Sequence, residues 1–113
     1  MRHFTYERFY DQYEDCYFEF GQYVDTNNLA LTIVSDTEGP IATVTTNIGR
    51  NFGVGITGIK NYSENEGMLD WLYAMGFIKR IVAKIEQGFV EIPVVELDVD
   101  LISEYTKEGV LSE

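Results

Sequence analysis

Turn chemistry limits the folds open to this chain more than any other feature. Two polar clusters, Asp25-Thr26-Asn27-Asn28 and Asp36-Thr37-Glu38-Gly39-Pro40, each interrupt a run of apolar and β-branched residues. Asn and Asp tolerate positive φ and bond their own backbone, Gly supplies positive φ without steric cost, and Pro pre-sets a turn. The runs they separate are 17–24, 29–34 and 41–48. In the second, Leu29, Leu31 and Ile33 share one face; in the third, Thr43, Thr45 and Thr46 mark a half-exposed sheet. Three strands joined by short turns predict an antiparallel meander.

Ahead of the meander, residues 4–23 carry nine aromatic side chains. Tyr6, Phe9, Tyr10, Tyr13, Tyr17 and Phe20 recur at intervals of three and four, which predicts a helix over about 5–15 leading into the strand at 17–24. These rings serve either as core or as an aromatic face for a partner. Downstream, Ser63-Glu64-Asn65-Glu66 has the form of a capping box, with Ser63 as N-cap and Glu66 reaching back. Met68, Leu69, Leu72 and Met75 then share a face, Trp71 packs beside them, and Gly76 stops the helix. The expectation is a main helix over about 64–75. A glycine-rich loop at 49–58, a short strand around 81–85 broken by Gly88, a strand over 89–99 and a last helix over about 100–107 ending before Gly109 complete the reading. Pro93 places the 89–99 strand at a sheet edge or on a bulge. The fold class expected is α+β: one domain over 1–113, an antiparallel sheet of about five strands, the main helix on one face and short N- and C-terminal helices.

Bulk properties narrow the chemistry. With 45% hydrophobic residues a core can form. One cysteine, Cys16, allows no internal disulfide, and the first residues lack a signal-peptide pattern, so a reducing, cytoplasmic location is expected. No apolar run approaches the roughly 20 residues of a membrane span. Gly53, Gly55 and Gly58 spell G-x-G-x-x-G, but Ile59-Lys60-Asn61-Tyr62 opens no helix after them, so a dinucleotide site is rejected. His3 and Cys16 are the sole histidine and thiol; a Cys–His nucleophile pair and a zinc site both fail for want of partners. Asp98, Asp100 and Glu104 lack the spacing of a calcium loop, and Asp98 or Asp100 is better read as the N-cap of the last helix. A carboxylate pair of the glycosidase kind would need a sugar cleft larger than this chain accommodates. The chain is therefore read as a non-enzyme without cofactor or metal.

What remains is charge. Nineteen acids face eight bases, a net charge of -11. Residues 1–25 hold six acids, residues 86–113 hold eight, and Lys79, Arg80 and Lys84 form a basic island before the second group. Such a surface repels phosphate backbones and anionic lipid, and suits a basic protein surface. Glu96, Asp98 and Asp100 on an extended strand would present carboxylates roughly 6.6 Å apart in a row. Asp11, Glu14 and Asp15, with Glu7 a turn earlier, would share a helix face. Glu19 and Glu104 complete the candidate partner-binding set of Asp11, Glu14, Asp15, Glu19, Glu96, Asp98, Asp100 and Glu104. The alternative is the solvated face of an ordinary acidic protein.

The segment FGQYVDTNNLALTIVSDTEGPIATVTTNI carries a family likeness. Tyr23, Asn28, Leu29 and Ala30 match a tyrosine–turn–strand pattern; Glu38, Gly39 and Pro40 match a turn; Ala42, Thr43, Val44 and Thr45 match the next strand. Trp71, Gly76, Gly88, Phe89 and Pro93 continue the match. Over about 18–98 the chain resembles a family of small bacterial mobile-element proteins of unknown function, domain-of-unknown-function family 4313. The aromatic first segment, the 49–58 stretch and the acidic C-terminal extension depart from it. The resemblance implies an address on a phage, plasmid or integrative element in a bacterium, and carries over no functional residue. Joined to the charge, it leads to an expected function. This would be an acidic inhibitor occupying the basic nucleic-acid channel of a host defence enzyme such as a CRISPR nuclease or restriction enzyme, with no direct nucleic-acid or membrane binding. The alternative is a non-catalytic accessory or scaffolding protein of a mobile element, assembling through a sheet edge and the aromatic N-terminal segment.

Overall fold

A computed structural model describes residues 1–8 and 11–107; Phe9, Tyr10 and the tail beyond Lys107, including Gly109, lie outside the described residues. The N-terminal helix expected over 5–15 is a β-ribbon. Strand β1 (Phe4–Arg8) pairs antiparallel with β2 (Asp11–Gln22). The physical reason lies in a bulge. Cys16 pairs with Phe4 and Tyr13 with Tyr6, so Glu14 and Asp15 together oppose Thr5. The extra residue reverses the two-residue alternation. Tyr13 packs on the core before the bulge, and Cys16, Phe18 and Phe20 after it. Two alternating stretches joined out of phase produce the three-residue step from Tyr13 to Cys16 that imitates a helix.

The meander holds. Strands β3 (Leu29–Ser35) and β4 (Gly39–Thr43) follow, and the first sheet runs β1-β2-β3-β4. The single strand expected over 41–48 is divided at Val44. The Val44 amide donates to the Leu31 carbonyl at 2.8 Å, while the Val44 carbonyl accepts from the Lys60 amide at 2.8 Å. Val44 is thus bonded to both sheets, and the chain changes sheet there. Instead of one five-stranded sheet there are two of four. The second, ordered β5-β6-β8-β7, comprises β5 (Thr45–Thr46), β6 (Ile56–Ile59), β7 (Ile78–Gln87) and β8 (Val90–Leu97). Strand β6 arises from what reads as the end of a glycine-rich loop. Pro93 lies in an interior strand, not at an edge. It sits one residue beyond Val94, the last β8 residue paired with β6, where that side of β8 is open. The bulges fall on β7, opposite β8.

Burial on both faces of β8 explains its unbroken apolar run from Ile92 to Val95. Val95 and Leu97 face the main core with Phe18, Leu31, Ile33, Val44 and Ile59; Ile92 and Val94 face a smaller one closed by Ile48 and Ile56, with Phe52 and Tyr62 packed on it. Each fully buried side chain of this size contributes about 1.5–3 kcal/mol.

The main helix is shorter than its sequence signature. Ser63–Asn65 form a 3-10 turn with Ser63 at φ 59°, Glu66 is extended, and helix α1 (Met68–Ala74) starts after Gly67 at φ 93°. The capping box does not form. The Leu69 amide donates to the Asn61 Oδ1 at 2.8 Å, and the buried Asn65 side chain donates to the Thr43 carbonyl, docking the turn on β4. The stop is as expected. Gly76, at φ 82°, donates to the Tyr73 carbonyl and Phe77 to the Leu72 carbonyl, the two bonds of a Schellman motif. Met68 and Leu72 are buried, Leu69 and Trp71 half-buried, and Met75 exposed. Trp71 and Phe77 join Phe4, Tyr6, Phe18 and Tyr105 in an aromatic cluster with centroids 4.8–6.5 Å apart. Helix α2 (Val99–Ser103) is capped by Asp98, whose Oδ1 accepts from the Leu101 amide at 3.1 Å. No helix of the described residues is long and apolar enough to cross a membrane.

Candidate protein-interaction surface

The C-terminal row of carboxylates does not exist as a row. Strand β8 ends at Leu97, so the two-residue spacing stops before Asp98. Glu96 accepts from the Arg80 Nε at 2.7 Å, Asp98 is used as the α2 cap, and Glu104 accepts from the Arg2 guanidinium at 2.7 Å. That bond holds the Arg2 guanidinium above its ordinary range. Asp100 alone of the four is exposed and without an ion pair among the described residues. A carboxylate already paired or capping loses those bonds if it turns to a partner's base, so this group is a poor phosphate mimic.

Asp11, Glu14, Asp15 and Glu19 all lie on β2 and all are exposed, but on a strand and not on a helix face. The bulge brings Glu14 and Asp15 side by side, with Asp15 at φ 55°. The Asp36 amide donates to the Asp15 carbonyl at 3.2 Å, so the β3–β4 turn, with Asp36 and Glu38, sits against the bulge. Sequence reasoning passed over these two acids as turn residues; their approach to Asp15 follows from the β2–β3 register, which ends at the Cys16–Ser35 pair. Below them, the buried Cys16 thiol donates to the Tyr13 carbonyl at 3.4 Å and to the Glu14 carbonyl at 3.8 Å, pinning the bulge. Burial, with Asp15, Glu38 and Asp36 adding to it, pushes that thiol up, which keeps it protonated and unreactive. One base meets the cluster: His3 Nε2 lies 3.0 Å from Asp36. Glu104, through Arg2, adjoins the same N-terminal stretch.

Only four carboxylates come within ion-pair distance of a base among the described residues. The aromatic face considered for a partner is mostly core: Phe4, Tyr6, Tyr17 and Phe18 are buried. Between the 23–28 and 49–55 loops lies a cavity of about 330 Å³ with Asn27, Asn28, Asn51 and Gly53 in its wall. None of its lining residues titrates, so it holds no acid–base pair. Gly53 and Gly55 precede strand β6, not a helix, which removes the structural context of a dinucleotide fingerprint. No group of three or more His, Cys, Asp and Glu side chains is placed to hold a metal ion among the described residues. No family model, curated protein or solved structure matches the chain.

Proposed function

We propose that this protein is a non-catalytic inhibitor from a bacterial mobile element, acting in the host cytoplasm. It lays carboxylates on the basic nucleic-acid channel of a host defence enzyme of the CRISPR-nuclease or restriction type. The observation that carries the reading is the exposed acidic ridge of Glu14 and Asp15 on the ribbon with Asp36 and Glu38 on the adjoining turn. Of these four, among the described residues, only Asp36 has a base, His3, within ion-pair distance; Asp11 stands farther out on the ribbon, opposite Arg8. Unpaired surface carboxylates at a net charge of -11 steer a molecule toward a positive channel and give arginine and lysine an alternative to phosphate. The mobile-element address rests on the resemblance over 18–98. The ridge replaces the Glu96–Asp98–Asp100 row as the surface that enters the channel, with Glu19 farther along β2. The scaffolding alternative draws on β7, a ten-residue edge strand; its bulges blunt that edge against pairing.

The test is capture from host lysate at low salt, followed by a loading assay with the captured enzyme. Wild type should prevent target DNA or guide from loading. The variant Asp11→Lys/Glu14→Lys/Asp15→Asn/Glu38→Lys should not; asparagine is chosen at 15 because it tolerates positive φ. The protein alone should leave duplex DNA unshifted in a low-salt gel. Inhibition with DNA still fully bound, or undiminished inhibition by the variant, would refute the reading.

A further inference from the structure

The far end of the second sheet carries a feature that the folding of the chain does not require. Strands β7 and β8 are joined by a two-residue turn, Gly88–Phe89, closed by the Gln87–Val90 pair. Gly88 has φ 61° and Phe89 is not among the positive-φ residues, the pattern of a II′ turn. Such a turn asks for glycine first and leaves its second position open to any residue. That position holds a phenylalanine whose side chain is wholly exposed, at 107%. A ring so exposed gains nothing from the fold. One pair further along, Glu86 stands directly opposite Glu91. Directly opposed residues of an antiparallel pair point to one face, and like charges in that arrangement destabilise the hairpin. Neither carboxylate has a base within ion-pair distance among the described residues. Lys84, opposite Pro93, is the next charged residue along this face and pairs with neither. Glu86, Gly88, Phe89, Val90 and Glu91 together line one shallow concavity of about 240 Å³. A directly opposed like-charge pair and a wholly exposed ring thus stand within six residues of each other at the end of the hairpin, where its register is regular from Ala83 to Val94.

The chemistry of the concavity selects its occupant. An aromatic face attracts a cation by its quadrupole, and a guanidinium most often fills that role. Two neighbouring carboxylates offer charge-assisted acceptors to the planar fork of N–H donors that arginine carries and lysine lacks. We infer that the β7–β8 tip is a clasp for an arginine side chain of the partner, with Phe89 stacked on the guanidinium plane and Glu86 and Glu91 accepting from its edge. This inference rests on the reading that the partner presents a basic surface, and adds to the acidic ridge of the first sheet a second contact on the other sheet. Occupancy would relieve the Glu86–Glu91 repulsion, so the unfavourable pair becomes favourable only in the complex.

The test uses the whole protein and a defined probe. N-acetyl-arginine amide is titrated into ¹⁵N-labelled protein, with N-acetyl-lysine amide as the comparison and amide shifts as the readout. Arginine amide should shift residues 86–91 saturably. Lysine amide should bind at least threefold more weakly. Phe89→Ala and Glu86→Gln/Glu91→Gln should each weaken the arginine effect at least tenfold. Both variants change exposed side chains, and unchanged spectra elsewhere report that the fold is intact. No saturable shift at the tip, equal binding of the two amides, or binding that survives Phe89→Ala would overturn the clasp. The ridge variant serves to separate the two proposals. It should retain arginine-amide binding at the tip even if partner capture is lost, whereas a failed clasp with intact capture by wild type leaves the ridge reading standing.

Discussion

Gly58→Ala adds a single methyl group and should be among the most damaging small substitutions in this protein. Gly58 lies in β6, where it pairs with Thr46 on one side and Val94 on the other. A Cβ there would stand 2.4 Å from the Ile48 Cγ2, 3.1 Å from the Ile92 Cγ2 and 3.2 Å from the Thr46 carbonyl oxygen. Ile48 and Ile92 are buried in the smaller core and the third neighbour is backbone, so none can swing aside. Overpacking of this kind costs about 1–3 kcal/mol. Three simultaneous conflicts argue for the upper end, and the stiffer unfolded chain returns about 0.4–1 kcal/mol. The net loss is therefore about 2 kcal/mol, against a total stability on the order of 5–15 kcal/mol. In urea unfolding, with a slope of about 2 kcal/mol/M, the midpoint should fall by about 1 M. Leucine at 48 lacks the offending Cγ2, so Gly58→Ala/Ile48→Leu should recover part of the loss as a measurable coupling. Gly21→Ala is the control: its nearest neighbour would be the Ala30 Cβ at 3.9 Å, and it should unfold at or above the wild-type midpoint. A Gly58→Ala midpoint equal to wild type would refute the close approach of β6 to the 46–48 segment.

Leu72→Ala removes a fully buried side chain from the main core and should cost about 2–5 kcal/mol by the same assay; an unchanged melting temperature would mean that the helix presents another face. Asp98→Ala removes the α2 cap and should cost about 0.5–2 kcal/mol, while Asp98→Asn or Asp98→Ser should retain most of the stability. Glu64 is held at about 2, below its ordinary 4.5, chiefly by the Lys60 ammonium that donates to it at 2.6 Å. Its contribution is fully present above pH 4.5 and is lost as the pH falls through about 2. The melting-temperature gap between wild type and Glu64→Gln should accordingly narrow across that window; a gap that stays constant down to pH 2 would rule the pair out.

Several elements were legible without coordinates because their causes are local. The turns at 25–28 and 36–38 follow from Asn, Asp, Gly and Pro chemistry, and they delimit β3 on both sides. Gly76 ends α1 because only glycine sits without strain at that left-handed position, and Asp98 caps α2 through a bond spanning three residues. The excess of acid over base is likewise a property of composition. The rest depended on contacts between segments distant in the chain. Val44 changes sheet because Leu31 and Lys60 both bond to its backbone, and no window of sequence contains that pair. The ribbon bulge shifts the aromatic alternation by one residue and so presents a helical spacing in a strand. The capping box at 63–66 loses to the docking of Asn65 on Thr43, a tertiary bond that fixes the turn before the helix can begin there. Glu96 and Glu104 are neutralised by Arg80 and Arg2, sixteen and 102 residues away, while Asp36 and Glu38 are brought beside Asp15 by the β2–β3 register. Sequence alone thus determined how much negative charge the protein carries and where its chain must turn. Tertiary structure decided which carboxylates stay unpaired and which of them stand together, because ion pairing and strand register join residues that local physics cannot relate.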